Sequence, residues 1–264
     1  KVYQYKIFEG TLTEVTDPNI VGSRSVAFIN NQFIYNNAKF SVVSNVGDGS
    51  TASGLNIIGE ETDPDFLVRD FVFDDIIYRC SARTIVAWYN SGVGNPPIER
   101  LQGRVFETGL AALHSIQKTD EAFYWLGDDF NIYQSRAGAK QVISTDAISH
   151  EIKKYRVVSD AIGNAFVIDG VSYYAITFPT GNKTFVFSEA LGKNGWFEIS
   201  SNGGAYRGAS IKECYGNTYV TDAENGQIYM LDSEVYKENF NRINGDGDAI
   251  IRTRVTSSVN GDLV

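Results

Sequence analysis

The sequence predicts an all-β fold, a six-bladed β-propeller, on three observations. Glycine is abundant at 25 residues against 5 prolines, apolar residues recur in short runs with a period of two, and a strand–turn–strand theme returns along the chain. Such runs, broken by Asn, Asp and Gly, are strands joined by tight turns. The theme's turns fall at positions 30, 74, 128, 169 and 216, spaced by 44, 54, 41 and 47 residues, a mean of about 46. Roughly 40 to 50 residues with four strands per unit is the interval of propeller blades.

In chain order, Val2 to Phe8 and Thr11 to Val15 around Glu9-Gly10 read as the outer half of an earlier blade. Five units follow, led by Ser25–Ile29, Phe71–Phe73, Phe123–Leu126, Ala165–Ile168 and Ser210–Tyr215. Each ends in a turn: Asn30-Asn31, Asp74-Asp75, Gly127-Asp128, Asp169-Gly170 and Gly216-Asn217. These residue types suit hairpin turns, whose twist demands positive φ. The fourth unit predicts all four strands, Ala165–Ile168, Ser172–Phe178, Lys183–Phe187 and Trp196–Ser200. The fifth adds Thr218–Thr221 and Gln227–Leu231. Counted together these are five full blades and part of a sixth, whose missing strands are expected from upstream or from a tail strand at Ile250–Val255.

One segment breaks the pattern. After Ser144-Thr145-Asp146, the residues Ile148, Ile152 and Tyr155 share one helical face, so a short helical insertion is expected near 146–156, capped by Thr145 or Asp146. The polar stretch 45–65 reads as an inter-strand excursion. Residues 1–258 are expected to form one propeller domain and 259–264 to begin a following segment. With Met230 the single methionine, the sequence is expected to start inside a longer polypeptide.

The composition bounds function. Lys plus Arg number 23 against 32 Asp plus Glu, a net charge of −9, which argues against coating nucleic acid or an anionic membrane, where clustered cations drive affinity. No stretch approaches the roughly 18 apolar residues of a membrane span, and the opening residues Lys1 to Tyr5 lack the basic and apolar regions of a signal peptide. Cys80 and Cys214 lack metal-ligand or CxxC spacing and are expected to be two buried thiols.

A glycosidase of this shape would need two or three carboxylates converging on a central tunnel. Asp70, Glu121 and Asp160, at the starts of innermost strands, are the candidates, yet each Asp-rich spot also sits beside a turn, where Asp accepts backbone N–H bonds. His114, expected half-buried in a strand, and His150, expected solvated on the helix, have no triad or metal partner spacing. Asn244-Gly245-Asp246-Gly247-Asp248 alternates oxygen ligands as calcium loops do, but Ala249 and Val255 stand where a calcium loop needs Gly and Glu, so a surface turn is preferred. Gly47-Asp48-Gly49-Ser50 with Gly54 lacks the Lys of a phosphate loop. The densest positive charge, Lys153-Lys154 with Arg156, reads as a solvated helix end. No catalytic, cofactor-binding or metal-ligating residue is assigned, and no cofactor is expected.

Particular residues resemble a known family. Asp169-Gly170-Val171-Ser172-Tyr173-Tyr174-Ala175-Ile176-Thr177-Phe178-Pro179-Thr180, then Thr184-Phe185-Val186-Phe187 and Gly195-Trp196, are similar to the tail-hub, or packaged-DNA stabilisation, proteins of short-tailed bacteriophages. Phe123 to Asp129, Ile143 to Gly163, Gly226 to Asp232 and Ile250 to Val255 extend the likeness over about 120–255. The resemblance implies a non-enzymatic virion protein of the phage tail, assembled in the host cytoplasm as a homo-oligomeric ring. Its implied partners are the portal protein and other tail proteins (needle, spike or adaptor), with packaged DNA contacted mechanically at most and no membrane. The alternative is a carbohydrate-binding or glycan-degrading propeller in which Trp88, Trp125 and Trp196 stack on sugars. A cellular scaffold propeller would carry recurring Gly-His and Trp-Asp motifs, and this sequence has none.

Overall fold

The computed structural model describes residues 1–59, 65–201 and 203–231, with the backbone of 237–238 and 250–251. The chain is nearly all β, and each sheet is an antiparallel meander of strands consecutive in sequence. It forms two compact units, residues 1–110 and 111–264.

The first unit opens with a hairpin, β1 (Tyr3–Lys6) and β2 (Thr11–Glu14). A sheet of β3 (Ser25–Ile29), β4 (Gln32–Asn36), β5 (Ser41–Ser44) and β6 (Ala52–Ile58) follows. The next holds β7 (Leu67–Phe73), β8 (Ile76–Ser81), β9 (Ile85–Asn90) and β10 (Ile98–Phe106). The second unit begins with β11 (Gln117–Lys118), β12 (Phe123–Leu126), β13 (Ile132–Arg136) and β14 (Ala139–Val142). Helix α1 (Asp146–Ile152) leads to β15 (Ile162–Ile168), β16 (Val171–Phe178), β17 (Lys183–Ser188), β18 (Trp196–Ser201) and the short β19 (Gly204–Ala205). Then come β20 (Gly208–Cys214), β21 (Asn217–Asp222) and β22 (Ile228–Leu231). Finally, β23 (Lys237–Glu238) pairs with β24 (Ile250–Ile251).

The turn chemistry explains the hairpins. Asn30 and Asn31, Asp74 and Asp75, and Asp169 and Gly170 all take positive φ, so each pair closes a two-residue turn whose twist matches that of the flanking strands. Residues 215 and 216 do the same, which moves the predicted fifth turn back by one residue, to Tyr215-Gly216. The third unit corrects the predicted phase. Gly127-Asp128 lies between its second and third strands, because the two-residue β11 is too short to register as an alternating run. Its first turn, between Lys118 and Phe123, lies near 120. Measured from there, the first turns at 30, 74, 120, 169 and 215 are spaced by 44, 46, 49 and 46 residues, more evenly than the sequence suggested.

The stretch 45–65 is not one excursion. Ala52–Ile58 is a full strand paired to β5, its alternation hidden by Gly54 and Asn56. The Gly47–Ser50 cluster is a turn in which Ser50 and Thr51 donate to Asp48 and the Tyr35 hydroxyl donates to the Gly49 carbonyl.

Buried side chains of the inner strands form cores between neighbouring sheets. Ile34, Val43 and Ile77 join β4, β5 and β8, while Tyr35 and Val42 on the opposite face pack with Val15 and Ile20. In the second unit, Tyr124, Leu126, Tyr174, Phe178 and Trp196 form the largest cluster, with Ile148 and Ile152 of α1 packed into it. Burying Tyr174 pushes its phenol well above the usual range.

Candidate functional surfaces

The helix was predicted from its apolar face, and its neighbours show how it is held. The Thr145 hydroxyl accepts from the Ile148 N–H at 3.4 Å, closing the N-terminus as a cap does. Ser149 donates to Asn131 Oδ1 at 2.7 Å, and its hydroxyl meets that of Ser144 at 2.9 Å. Ser144 in turn accepts from the Ile132 N–H. The helix is thereby tied to the loop between β12 and β13, and its apolar face covers one end of the core. Lys153, Lys154 and Arg156 are exposed at its far end, with Lys154 paired to Glu151 at 2.8 Å. That is the solvated helix end the sequence suggested.

The carboxylates singled out for catalysis each have a structural partner. Asp70 is not at a strand start but mid-strand in β7 and buried. It faces the Arg79 guanidinium at 3.4 Å and accepts from the Ser41 hydroxyl. Arg79 also lies over the Trp88 ring, 5.4 Å from its centre. Glu121 is exposed in the turn before β12 and paired with Arg136 at 2.7 Å. Asp160 accepts from the Thr180 N–H at 2.9 Å, fastening the turn after β16. The three are distributed over separate local networks, and no convergent pair emerges among the described residues.

Sequence reasoning missed the network around Arg136. Its guanidinium bridges Glu121 and Glu189, and Gln134 reaches Glu189 at 2.6 Å. Burial first, then the Glu189 charge, pushes the neighbouring Tyr124 phenol up to about 12. Another missed cluster joins Arg207 to Asp222 at 2.9 Å and Glu224 at 3.1 Å. Charges separated by 15 to 53 positions leave no local pattern, so only pairing across strands discloses them.

The tryptophans are packing residues. Trp125 is fully buried and stacked between Phe123 and Tyr133 at 5.4 and 5.3 Å. Trp196 is buried, its indole N–H donating to the Ile143 carbonyl at 2.8 Å. Neither offers a face to a sugar. His114 is exposed, in an isolated bridge to Ile162 rather than half-buried in a strand. His150 is exposed on α1, as predicted. Cys80 is buried, whereas Cys214 is exposed at the β20–β21 turn, so only one thiol is shielded. Asn244–Asp248 lies outside the described residues.

Four-stranded antiparallel meanders returning at a near-constant interval define a β-propeller protein. Residues 1–236 match the family described as bacteriophage P22 Gp10, β-propeller, a phage stabilisation family, and the chain belongs to it. That makes it a phage structural protein. No curated protein matches the sequence. Among solved structures, the dihydro-heme d1 dehydrogenase NirN is similar in fold, with a TM-score of 0.52 at 11% identity over 89% of this chain and 48% of that one. BamB from Moraxella catarrhalis gives 0.45 at 10% identity over 94% of this chain and 64% of that one. The chain thus spans about half to two-thirds of the length of these neighbours.

Proposed function

We propose that the protein is a non-enzymatic hub of a phage tail. It plugs the portal channel after packaging, retains the DNA and links the portal to the tail needle or spike. The observation that carries this reading is the family match over 236 of 264 residues, joined to a blade order that runs through the same span. The hub works as a homo-oligomeric ring in the virion, with the portal protein and a needle, spike or adaptor as partners, and it assembles in the host cytoplasm. Residues 1–258 act as one propeller domain of a six-bladed ring, and 259–264 begin the next segment. Retaining DNA in this way needs a mechanical stop rather than base readout, which is compatible with a net charge of −9.

The test is DNA retention in particles assembled without the protein. Heads that fill and then leak their genome support the plug. Heads that stay full but fail to adsorb to host cells would overturn it in favour of a receptor-binding module.

A further inference from the structure

Most hairpin tips here are made of Asn, Asp or Gly. The tip of β1–β2 is Lys6-Ile7-Phe8-Glu9-Gly10, with Ile7 78% exposed and Phe8 fully exposed. Fully solvated large apolar side chains at a turn contribute nothing to their own core, and clustered ones mark contact surfaces. The root of the hairpin is fixed: the Val15 N–H donates to the Val2 carbonyl, and Val15 is buried against Ile20 and Tyr35. The tip is therefore an apolar knob on an anchored arm.

The fourth sheet carries a matching hollow. Between β17 and β18 the chain runs through a 3₁₀ segment, Glu189–Asn194. There Val171, Tyr173, Ser188, Ala190, Leu191 and Phe197 line an open cavity of about 240 Å³. Four of the six are large apolar or aromatic residues, and Leu191 is 60% exposed at the mouth. Tyr173 stacks on Phe166 at 5.6 Å, which holds the cavity wall in place.

We propose that this cavity receives the Ile7–Phe8 tip of a second copy of the chain. The proposal rests on the homo-oligomeric ring proposed above and names the contact that would build it. Charge supports the pairing. Glu9 adjoins Phe8, and Lys193, two residues from Leu191, is exposed with no ion pair among the described residues. Among the described residues Glu9 is held by the solvent-exposed Lys6 at 3.3 Å and by Thr11, a surface pairing that exchanges at little cost. Area decides the form of the assembly. An aromatic side chain buries roughly 150–250 Å², far below the ~800 Å² per partner of a stable dimer. One knob in one cavity is weak, whereas a closed ring in which every copy both gives and receives is stabilised at each junction. Knob and cavity are different surfaces, so the contact is head-to-tail.

The experiment uses the purified 264-residue chain, sedimented over a range of concentrations, with Phe8→Asp and Leu191→Asp as variants. Both positions are exposed, so unchanged circular dichroism and melting verify the fold. The wild type is expected to associate with increasing concentration, and each variant to weaken association by about 100-fold or more. An equimolar mixture of the two variants is expected not to recover the wild-type association, because only one weak junction can form per pair and no ring can close. Phe8→Cys with Leu191→Cys, in a Cys214→Ser background, should form disulfide-linked multimers under oxidation. Association untouched by either aspartate overturns the contact and leaves the ring standing. A wild type that stays monomeric at every concentration, or a disulfide closed within one chain, also overturns the contact. Absence of the protein from purified virions overturns the tail-hub reading itself and leaves a self-association result intact.

Discussion

At the scale of single residues, the buried Asp70–Arg79 pair is the most exacting contact in the first unit. Both side chains are more than nine-tenths buried, so neither charge is relieved by water when the other is removed. Asp70→Ala should lower stability by about 3–5 kcal/mol, read from urea denaturation. Replacing both residues by apolar ones of similar volume should cost far less, because no uncompensated charge remains. The cysteines separate just as sharply. Burial, together with the Asp70 charge, raises the Cys80 thiol, while Cys214 is open to solvent. A maleimide should label one thiol in the native protein, at Cys214, and both in denaturant. Mass spectrometry of the labelled peptides checks this. Of the cysteine facts, the sequence disclosed the absence of metal spacing and the burial of Cys80, but it also expected Cys214 to be buried, which is exposed. Asp70 looked like a strand-start carboxylate because β7 begins three residues earlier, at Leu67, beyond the aromatic run that marked the strand.

At the scale of elements, α1 illustrates how local signals and tertiary contacts agree. The periodicity of Ile148 and Ile152 was legible and the cap was narrowed to Thr145 or Asp146, whereas the choice of Thr145 and the clamp of Ser149 on Asn131 required the structure. Thr145→Ala should cost about 1 kcal/mol, the usual loss for an N-cap hydroxyl, measured by thermal or urea unfolding. Strands were legible wherever alternation was long and ended in a turn that adopts positive φ, as in β15 to β18. They were lost where the strand was two residues long, as in β11, or carried Gly and Asn, as in β6. The networks of Arg136 and Arg207 were not legible at all, because their members come from strands apart in sequence and meet only through register.

At the scale of the whole molecule, the family and the blade interval were both readable before any coordinates. The residue contacts that would make a tail assembly were not, because a docking surface is gathered from several loops. Titration offers a test that involves many groups at once. Tyr174, Tyr124 and Cys80 are all raised in the folded protein, chiefly by burial. Their unfolded values are about 10 for Tyr and about 8.5 for Cys. A raised folded value means the native state holds its proton longer, so these groups favour folding fully below the unfolded values and progressively less above them. Stability should be level near neutral pH, begin to fall above about pH 8.5 and fall more steeply above about 10. Urea midpoints taken at pH 7, 9 and 10.5 check it.

The meander order of the sheets has a consequence for synthesis. Within each sheet every strand after the first pairs with the one just made, so the sequence separation of these contacts is short and the entropy of loop closure is small. A sheet can therefore form as soon as its own forty-odd residues have left the ribosome, without waiting for distant partners. A growing chain that closes one hairpin after another exposes few unpaired edges at any moment. That limits the time in which nascent copies can aggregate.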